Sequence, residues 1–188
     1  MRVISGERKG HNLVAPKGRN VRPTEDRVKE SLFNIISPIV PGSIILDLFA
    51  GTGSIGIEFL SRGASFGFFV DKSVDSITSI KRNLEHTKYE GKSEIMNLDA
   101  KIAIKRLSSR SIAFDYIYID PPFDQTDLFH DVLELVSDKK ILKPYGIVIV
   151  EHDKKLILRD EYNRMVKYDE RSYGTKLMTY YKLEEVQQ

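Results

Sequence analysis

The chain has 188 residues, contains no cysteine and carries a formal net charge of +2. This length suits one compact domain that buries about 70% of its unfolded surface, and the lack of cysteine excludes a disulfide framework, a thiolate zinc site and a cysteine nucleophile. No stretch of about 18 apolar residues is present, and the first ten residues carry charge. We therefore predict a cytosolic protein without a signal peptide or a membrane span.

Basic residues are concentrated in the first 24 positions, where six lysines and arginines stand against one acid, Glu7. Two short, partly apolar stretches, residues 2–5 and 12–15, are separated by "GERKGH", whose glycines suit a hairpin turn. We predict a basic hairpin and arm over residues 1–23 and a single domain over residues 24–188. Such an arm is either a solvated tail or a contact for a polyanion.

The remaining elements alternate between strand and helix patterns. Thr24 is a suitable N-cap for a first helix that ends before Pro38. Apolar runs then predict strands at residues 44–49, 66–71, 94–98, 115–120 and 146–151, with helices between them at residues 55–60, 73–87, 100–107 and 126–136. This βαβ series predicts an α/β fold with a mostly parallel sheet. Two closing strands, residues 164–168 and 176–183, have no helix between them, so at least one strand is antiparallel.

The first strand runs into a glycine-rich loop, "DLFAGTGSIG", residues 47–56. Glycine lets the backbone approach a ligand closely, and the start of the next helix offers unpaired N–H groups to an anion. The spacing of Gly51, Gly53 and Gly56 also fits the dinucleotide motif G-x-G-x-x-G, with Asp71 twenty residues after Gly51. A nicotinamide-dependent oxidoreductase is therefore one alternative.

Asp47 favours another ligand, because a carboxylate beside this loop would repel the phosphates of a dinucleotide. S-adenosylmethionine offers an ammonium group for Asp47, a carboxylate for the helix N-terminus and a ribose for Asp71. Asp99, after the third strand, is placed to accept from the adenine amino group. Because the carboxyl ends of parallel strands meet at one edge of a sheet, we expect the three acids to converge there.

The fourth strand ends in "DPPF", residues 120–123. Asp120 offers a carboxylate, and the prolines stiffen the turn and have no N–H to donate, so the turn presents only acceptors. Phe123 adds a ring on which a flat ligand can stack. This combination fits the exocyclic NH2 group of a nucleobase, whose lone pair can then be directed at a sulfonium methyl. Either Asp120 or a water molecule takes the proton that is released.

"DPPF" and "DLFAGTGSIG" together resemble the class I S-adenosylmethionine-dependent amino-group methyltransferases, which act on RNA guanine and on DNA adenine or cytosine. The segment "RVISGERKGHNLVAPKGRNVRPTEDRVKESLFNII" and the closing "RSYGTKLMTYY" are more specific. They resemble the RsmD-like family, the 16S rRNA (guanine-966-N2)-methyltransferases. The resemblance covers essentially the whole chain.

This resemblance implies a Rossmann-like sheet of seven strands with an antiparallel last strand and an N-terminal hairpin extension. It implies 16S rRNA as partner, within the small ribosomal subunit or an assembly intermediate, and transfer of a methyl group to guanine N2. The implied cofactor residues are Asp47, Phe49, Gly51, Gly53, Asp71, Lys72, Asp99 and Ala100. Asp120, Pro121, Pro122 and Phe123 would hold the guanine, and Arg8, Lys9, Arg19, Arg22, Thr24 and Arg27 would contact the RNA.

Two further alternatives remain open beside the oxidoreductase. A DNA amino-group methyltransferase would use the same chemistry, although the chain leaves little room for a target-recognition domain. A non-catalytic RNA-binding module would keep the fold without the activity. The four histidines share no metal-ligand spacing, and we predict no metal site.

Overall fold

The computed structural model describes residues 1–15, 26–122 and 125–184. Its contacts divide the chain into two compact units, Met1–Asp99 and Ala100–Gln188. Both units are built from strands and helices, and the described residues contain five α-helices and eight strands. Within the described part of the chain, every helix is too short or too polar to cross a membrane.

The first unit contains three parallel strands in the order β3-β2-β1. Its strands are β1 (Ile44–Asp47), β2 (Phe66–Val70) and β3 (Ser93–Met96), and its helices are α1 (Asp26–Ile35), α2 (Ser54–Ser61) and α3 (Val74–Thr87). The predicted elements after residue 40 are confirmed in this unit, with ends that differ by at most two residues. The predicted N-cap of α1, Thr24, lies outside the described residues.

The N-terminal hairpin is present in a reduced form, with a single antiparallel bridge between Arg2 and Asn12. The backbone N–H of Val3 donates to the carbonyl of His11 at 3.0 Å. Because so few backbone hydrogen bonds hold it together, the hairpin depends on contacts with the rest of the first unit.

Glu58, a fully buried residue of α2, provides those contacts. Its carboxylate accepts the backbone N–H groups of Ile4 at 2.8 Å and Ser5 at 2.9 Å. It also forms ion pairs with Lys29 of α1, whose Nζ lies 3.4 Å away, and with Arg62, whose Nε lies 2.9 Å away. Burial lowers the pKa of Lys29, and the nearby Glu58 carboxylate partly offsets this effect. The hydrogen bonds and ion pairs of this one carboxylate thus hold the hairpin and α1 against α2.

The second unit contains five strands in the order β4-β5-β8-β7-β6. They are β4 (Phe114–Ile119), β5 (Leu142–Asp153), β6 (Glu161–Tyr162), β7 (Met165–Tyr173) and β8 (Lys176–Leu183), with helices α4 (Ala100–Ser109) and α5 (Thr126–Asp138). Strands β4 and β5 are parallel, whereas β8, β7 and β6 are each antiparallel to the preceding neighbour.

The closing strands differ from the prediction in length and number. Strand β7 continues to Tyr173 rather than ending at residue 168, so only a tight turn joins it to β8. Strand β5 begins at Leu142, four residues before the predicted start. The two-residue strand β6 was not predicted, and it raises the described strands from the expected seven to eight. The expected antiparallel ending is confirmed and extends over three strands.

Candidate active site

The loop after β1 is held in a tight conformation by its glycines. Gly51 has φ of 55° and Gly53 has φ of 77°, both in the left-handed region that other residues rarely adopt. Gly53 directly precedes α2, and the N–H of Gly53 donates to the carbonyl of Ala50 at 2.6 Å. This loop therefore presents backbone N–H groups at a helix N-terminus, as an anion-binding site requires.

Asp47 lies at the end of β1 and is almost completely buried. Its Oδ2 accepts the backbone N–H of Gly56 at 3.1 Å. Burial raises the pKa of Asp47 to about 7, the hydrogen bond from Gly56 opposes this rise, and the nearby Asp71 adds to it. A buried carboxyl group with a raised pKa becomes more stably ionised when a cation binds beside it. The site therefore fits a ligand with a positively charged group.

Asp71 follows β2 and joins two loops. Its Oδ2 accepts the N–H of Gly51 at 2.9 Å, and its Oδ1 accepts the N–H of Ser73 at 2.8 Å. Ser73 in turn caps α3, because its side chain accepts the N–H of Ser76. Each carboxylate oxygen keeps a second lone pair, so Asp71 can still accept from the hydroxyls of a ribose. The sequence did not reveal that Asp71 also shapes the glycine loop.

The three acids follow three neighbouring parallel strands of the first unit. Asp47 pairs with Phe69, and Val70 pairs with Met96, so the strands end at similar levels. Asp71 directly follows β2, whereas Asp99 follows β3 by three residues and is exposed. The structure thus brings these acids to one edge of the sheet in the first unit. Of the other predicted cofactor residues, Phe49 is half-buried, Lys72 is exposed and Ala100 begins α4 in the second unit.

The turn after β4 belongs to the second unit. Asp120 is half-buried, Pro121 is buried and Pro122 is exposed. The carbonyl of Pro122 accepts the N–H of Gln125 at 3.2 Å, which tightens the turn before α5. That carbonyl therefore already accepts one hydrogen bond within the turn. The fourth predicted residue, Phe123, lies outside the described residues.

Comparison with known proteins identifies the family. The family described as "Conserved hypothetical protein 95" matches residues 1–182. The chain belongs to this family. "Putative rRNA methyltransferase YlbH" of Bacillus subtilis is 37% identical over 97% of this chain and 98% of its own length. "Ribosomal RNA small subunit methyltransferase D" of Haemophilus influenzae is 34% identical over 82% of this chain and 79% of its own length.

Solved structures agree with this assignment. An Escherichia coli protein described as "Putative methyltransferase yhhF" covers 98% of this chain with a TM-score of 0.86 and 28% identity, and 98% of that protein is matched. A protein described as "SMU.776, a putative methyltransferase complexed with SAH" shares the fold, with a TM-score of 0.66 and 18% identity, over 82% of this chain and 48% of its own. The predicted Rossmann-like fold and RsmD-like family are confirmed.

The predicted RNA contacts of this RsmD-like chain fall into three groups. Arg19, Arg22 and Thr24 lie outside the described residues, whereas Lys9 and Arg27 are exposed. Arg8 is used within the fold. Its Nε donates to the carbonyl of Thr87 at 2.8 Å, and its guanidinium forms an ion pair with Glu7 at 3.1 Å and lies 5.5 Å from the centre of the Tyr89 ring.

The end of the N-terminal hairpin lies beside the glycine loop in this RsmD-like structure. The Asn83 side chain donates to the carbonyls of Val14 at 2.9 Å and Thr52 at 2.8 Å, and it accepts the N–H of Val14 at 2.8 Å. Asn83 is buried in α3. Asn83 therefore links Val14, near the end of the described N-terminal segment, to Thr52 of the glycine loop.

A buried polar cluster near Asp120 was missed by the sequence reasoning. Glu151 is fully buried on β5, and its carboxylate accepts from the Tyr118 hydroxyl at 2.5 Å and from the Lys176 ammonium. Ile119 pairs with Val150, so Glu151 lies level with Asp120 on the neighbouring strand. The sequence signal for this cluster is the acid Glu151 at the end of the apolar run "GIVIVE", which by itself indicates only the end of a strand.

Proposed function

We propose that this chain transfers a methyl group from S-adenosylmethionine to the exocyclic N2 amine of a guanine in 16S rRNA. The observation that carries the proposal is the acceptor-only turn at residues 120–122, in a chain whose family includes small-subunit rRNA methyltransferases. An amine donates two hydrogens, and this turn offers the Asp120 carboxylate and the Pro121 carbonyl to accept them.

Asp120 has two tasks in the proposed reaction. It holds one hydrogen of the amine, which orients the nitrogen lone pair toward the methyl group. The nitrogen becomes strongly acidic once it is methylated, and Asp120, or a water molecule that it binds, takes the released proton. Phe123 follows this turn and offers a ring for stacking on the guanine.

The cofactor is assigned to the first unit. S-adenosylmethionine supplies an electrophilic methyl group and leaves as the neutral thioether S-adenosylhomocysteine. Asp47 is proposed to bind the ammonium of its methionine part, and the Gly51 and Gly53 loop to approach it closely. Asp71 is proposed to accept from the ribose and Asp99 from the adenine. The raised pKa of Asp47 supports this assignment, because a cation that binds beside a buried carboxyl group stabilises its ionised form.

The basic arm is proposed to hold the RNA backbone. Lys9 and Arg27 are exposed, and Arg19, Arg22 and Thr24 belong to the same basic region of the sequence. Pulling a stacked or paired base out of rRNA costs a few kcal/mol, which phosphate contacts offset. Arg8 is less suited to this task, since its guanidinium already binds within the first unit. A ribosomal substrate implies that the protein works in the cytoplasm.

A methyl-transfer assay tests the proposal. The full chain is incubated with radiolabelled S-adenosylmethionine and small ribosomal subunits that lack the modification, and the RNA is digested to nucleosides. We expect label in N2-methylguanosine. In Asp120→Asn we expect kcat to fall by about 10² to 10⁴, with unchanged affinity for S-adenosylhomocysteine. Label in DNA adenine or cytosine instead would favour a DNA methyltransferase, and full activity of Asp120→Asn would refute the proposed role of Asp120.

A further inference from the structure

The amino-terminal end of β5 contains a large bulge. Phe114 pairs with Leu142 and Tyr116 pairs with Ile147, so an advance of two residues along β4 is matched by five along β5. Residues 143–146 therefore have no paired residue on β4 and form a bulge in β5. A Cβ atom on Gly146 would lie 2.7 Å from Cδ1 of Leu142, which shows how tightly the bulge is folded.

The bulge displays an aromatic side chain. Tyr145 is 96% exposed and has φ of 64°, in the left-handed region where glycine is the usual residue. Lys143, two residues before Tyr145, forms an ion pair with Asp115, in which Nζ lies 2.7 Å from Oδ2. Within the described part of the chain, the Tyr145 side chain makes no hydrogen bond or ring contact. A tyrosine in this conformation therefore has no role in the fold that would explain it.

The segments that lead into β4 and β5 are rich in basic residues. Residues 105–115 and 138–146 contain six basic and two acidic residues. The Ser108 hydroxyl donates to the carbonyl of Lys139 at 3.1 Å, which joins the ends of α4 and α5. Both acids are engaged, Asp115 with Lys143 and Asp138 with the Asn163 side chain at 2.5 Å.

We define the amino-end surface as Lys105, Arg106, Lys139, Lys140 and Tyr145, all of which are exposed. Cations are common at helix C-termini, where they face the negative end of the helix dipole. The helix dipole explains why each basic residue is favourable at its own position. It does not explain why an exposed tyrosine with a left-handed backbone conformation lies in the same surface. An aromatic ring among cations is the combination that binds unpaired nucleic acid.

The amino-end surface is separate from the target-amine turn. Asp120 follows the carboxyl end of β4, whereas the bulge lies before the pair formed by Tyr116 and Ile147. Four residues of extended strand separate these levels, or about 13 Å. A ligand of the amino-end surface is therefore a part of the substrate other than the target base.

We propose that the amino-end surface binds rRNA at a distance from the methylated guanine, with Lys139 and Lys140 on phosphates and Tyr145 stacked on an unpaired base. The choice of RNA as partner rests on the proposed function. Such a second contact helps to offset the cost of exposing the target base, and it gives a protein of 188 residues additional contacts for choosing its substrate.

Tyr145→Gly is the sharpest variant, because glycine adopts the same backbone conformation without strain. We expect thermal stability equal to or above that of the wild type, together with a KM for small ribosomal subunits at least about fivefold higher and an unchanged kcat at saturating substrate. A variant as stable as the wild type with the wild-type KM would overturn the role of Tyr145.

The double variant Lys139→Ala/Lys140→Ala tests the phosphate contacts. We expect the log–log slope of rRNA affinity against salt concentration to become less steep by about 0.7 per lysine. Lys81→Ala/Arg82→Ala is the matched control, since it removes the same charge from exposed positions of α3. Equal slope changes in both double variants would mean that only net charge matters, and would contradict the proposed surface.

The wild-type assay separates failure of this inference from failure of the proposed function. Absence of N2-methylguanosine with the wild-type chain would reject the proposed function. Normal methylation by the wild type, with unchanged KM and salt slope in both amino-end variants, would reject the second RNA contact alone.

Discussion

At the scale of single residues, the proposed cofactor site contains a carboxyl group, that of Asp47, which is buried away from water. Asp47 is stabilised by one hydrogen bond from Gly56, and its pKa of about 7 lies far above the usual value of 3.8. The folded state therefore holds the proton more tightly than the unfolded state does. The stabilisation that this proton provides is complete below about pH 4 and is lost as pH rises through 7.

Asp47→Asn removes this dependence of stability on pH and keeps an oxygen that can accept the N–H of Gly56. We expect the stability of the variant relative to wild type to rise between pH 5 and pH 8, by about 2 to 3 kcal/mol at 1.4 kcal/mol per pKa unit. Chemical denaturation at both pH values measures the difference. Calorimetry at pH 8 should also show weaker binding of S-adenosylhomocysteine by the variant. A stability difference that stays constant with pH would show that the Asp47 pKa is not raised.

Gly56 illustrates how closely α2 approaches β2. A Cβ atom at this position would lie 2.3 Å from Cε1 of Phe69, whose side chain is fully buried. We expect Gly56→Ala to lower the free energy of unfolding by about 1 to 3 kcal/mol, because the ring has no space in which to move. Gly91→Ala is the control, since no atom lies within 4 Å of its added Cβ. Equal stability of the two variants in urea denaturation would contradict this packing.

At the scale of elements, one buried ion pair joins the N-terminal hairpin, α1 and α2. Glu58→Gln leaves the fully buried Lys29 without its counter-charge, and loss of one partner of such a pair costs about 3 to 5 kcal/mol. We expect a loss of this size in denaturant unfolding. Glu30→Gln, at an exposed position of α1 next to Lys29, should change stability little.

A second variant distinguishes loss of the pair from general damage to α2. Lys29→Met combined with Glu58→Gln removes both charges, so it should recover part of the stability that the single variant loses. If the double variant is less stable than Glu58→Gln alone, the unpaired charge is not the cause of the destabilisation.

The sequence predicted these elements well where burial produces a hydrophobic pattern. Strands β1 to β4 are short apolar runs with a defined end, and their predicted limits differ from the observed ones by at most two residues. The predicted strand ends at residue 168, whereas β7 continues to Tyr173. The difference arises because "DERS" carries the polar side chains of a solvated strand, which a hydrophobic pattern does not detect. Strand β6 has only two residues and is therefore too short to show an alternation of apolar and polar side chains.

The candidate site was predictable from the sequence where its residues follow apolar strands. Asp47, Asp71 and Asp120 stand at strand ends, which the sequence shows directly. The second role of Asp71, the engagement of Arg8 and the partners of Glu151 depend on residues that are distant along the chain. Such contacts arise from tertiary packing, and no local pattern encodes them.

At the scale of the whole molecule, ligand binding should stabilise the folded chain. At 100 times its dissociation constant, a ligand adds about 2.7 kcal/mol, which corresponds to about 5 to 11 °C in Tm for a protein of this size. We expect S-adenosylhomocysteine to produce a shift in this range in differential scanning calorimetry. We expect NAD to produce none. The opposite pattern would favour the dinucleotide interpretation of the glycine loop.

The distribution of charge over the chain bears on the choice of substrate. The basic residues are not spread evenly: residues 1–24 carry a net charge of +5 and the amino-end surface adds four positive charges, whereas the whole chain carries only +2. An RNA substrate that contacts both regions would be held at two places.

The proposed reaction is methylation of guanine N2 in 16S rRNA, with Asp120 at the reacting amine. Mass spectrometry of 16S rRNA from cells with and without the protein measures its product in the natural substrate. We expect one N2-methylguanosine to disappear when the protein is absent, to return with the wild-type chain and to stay absent with Asp120→Asn. Identical rRNA in the presence and absence of the protein would contradict the proposed reaction.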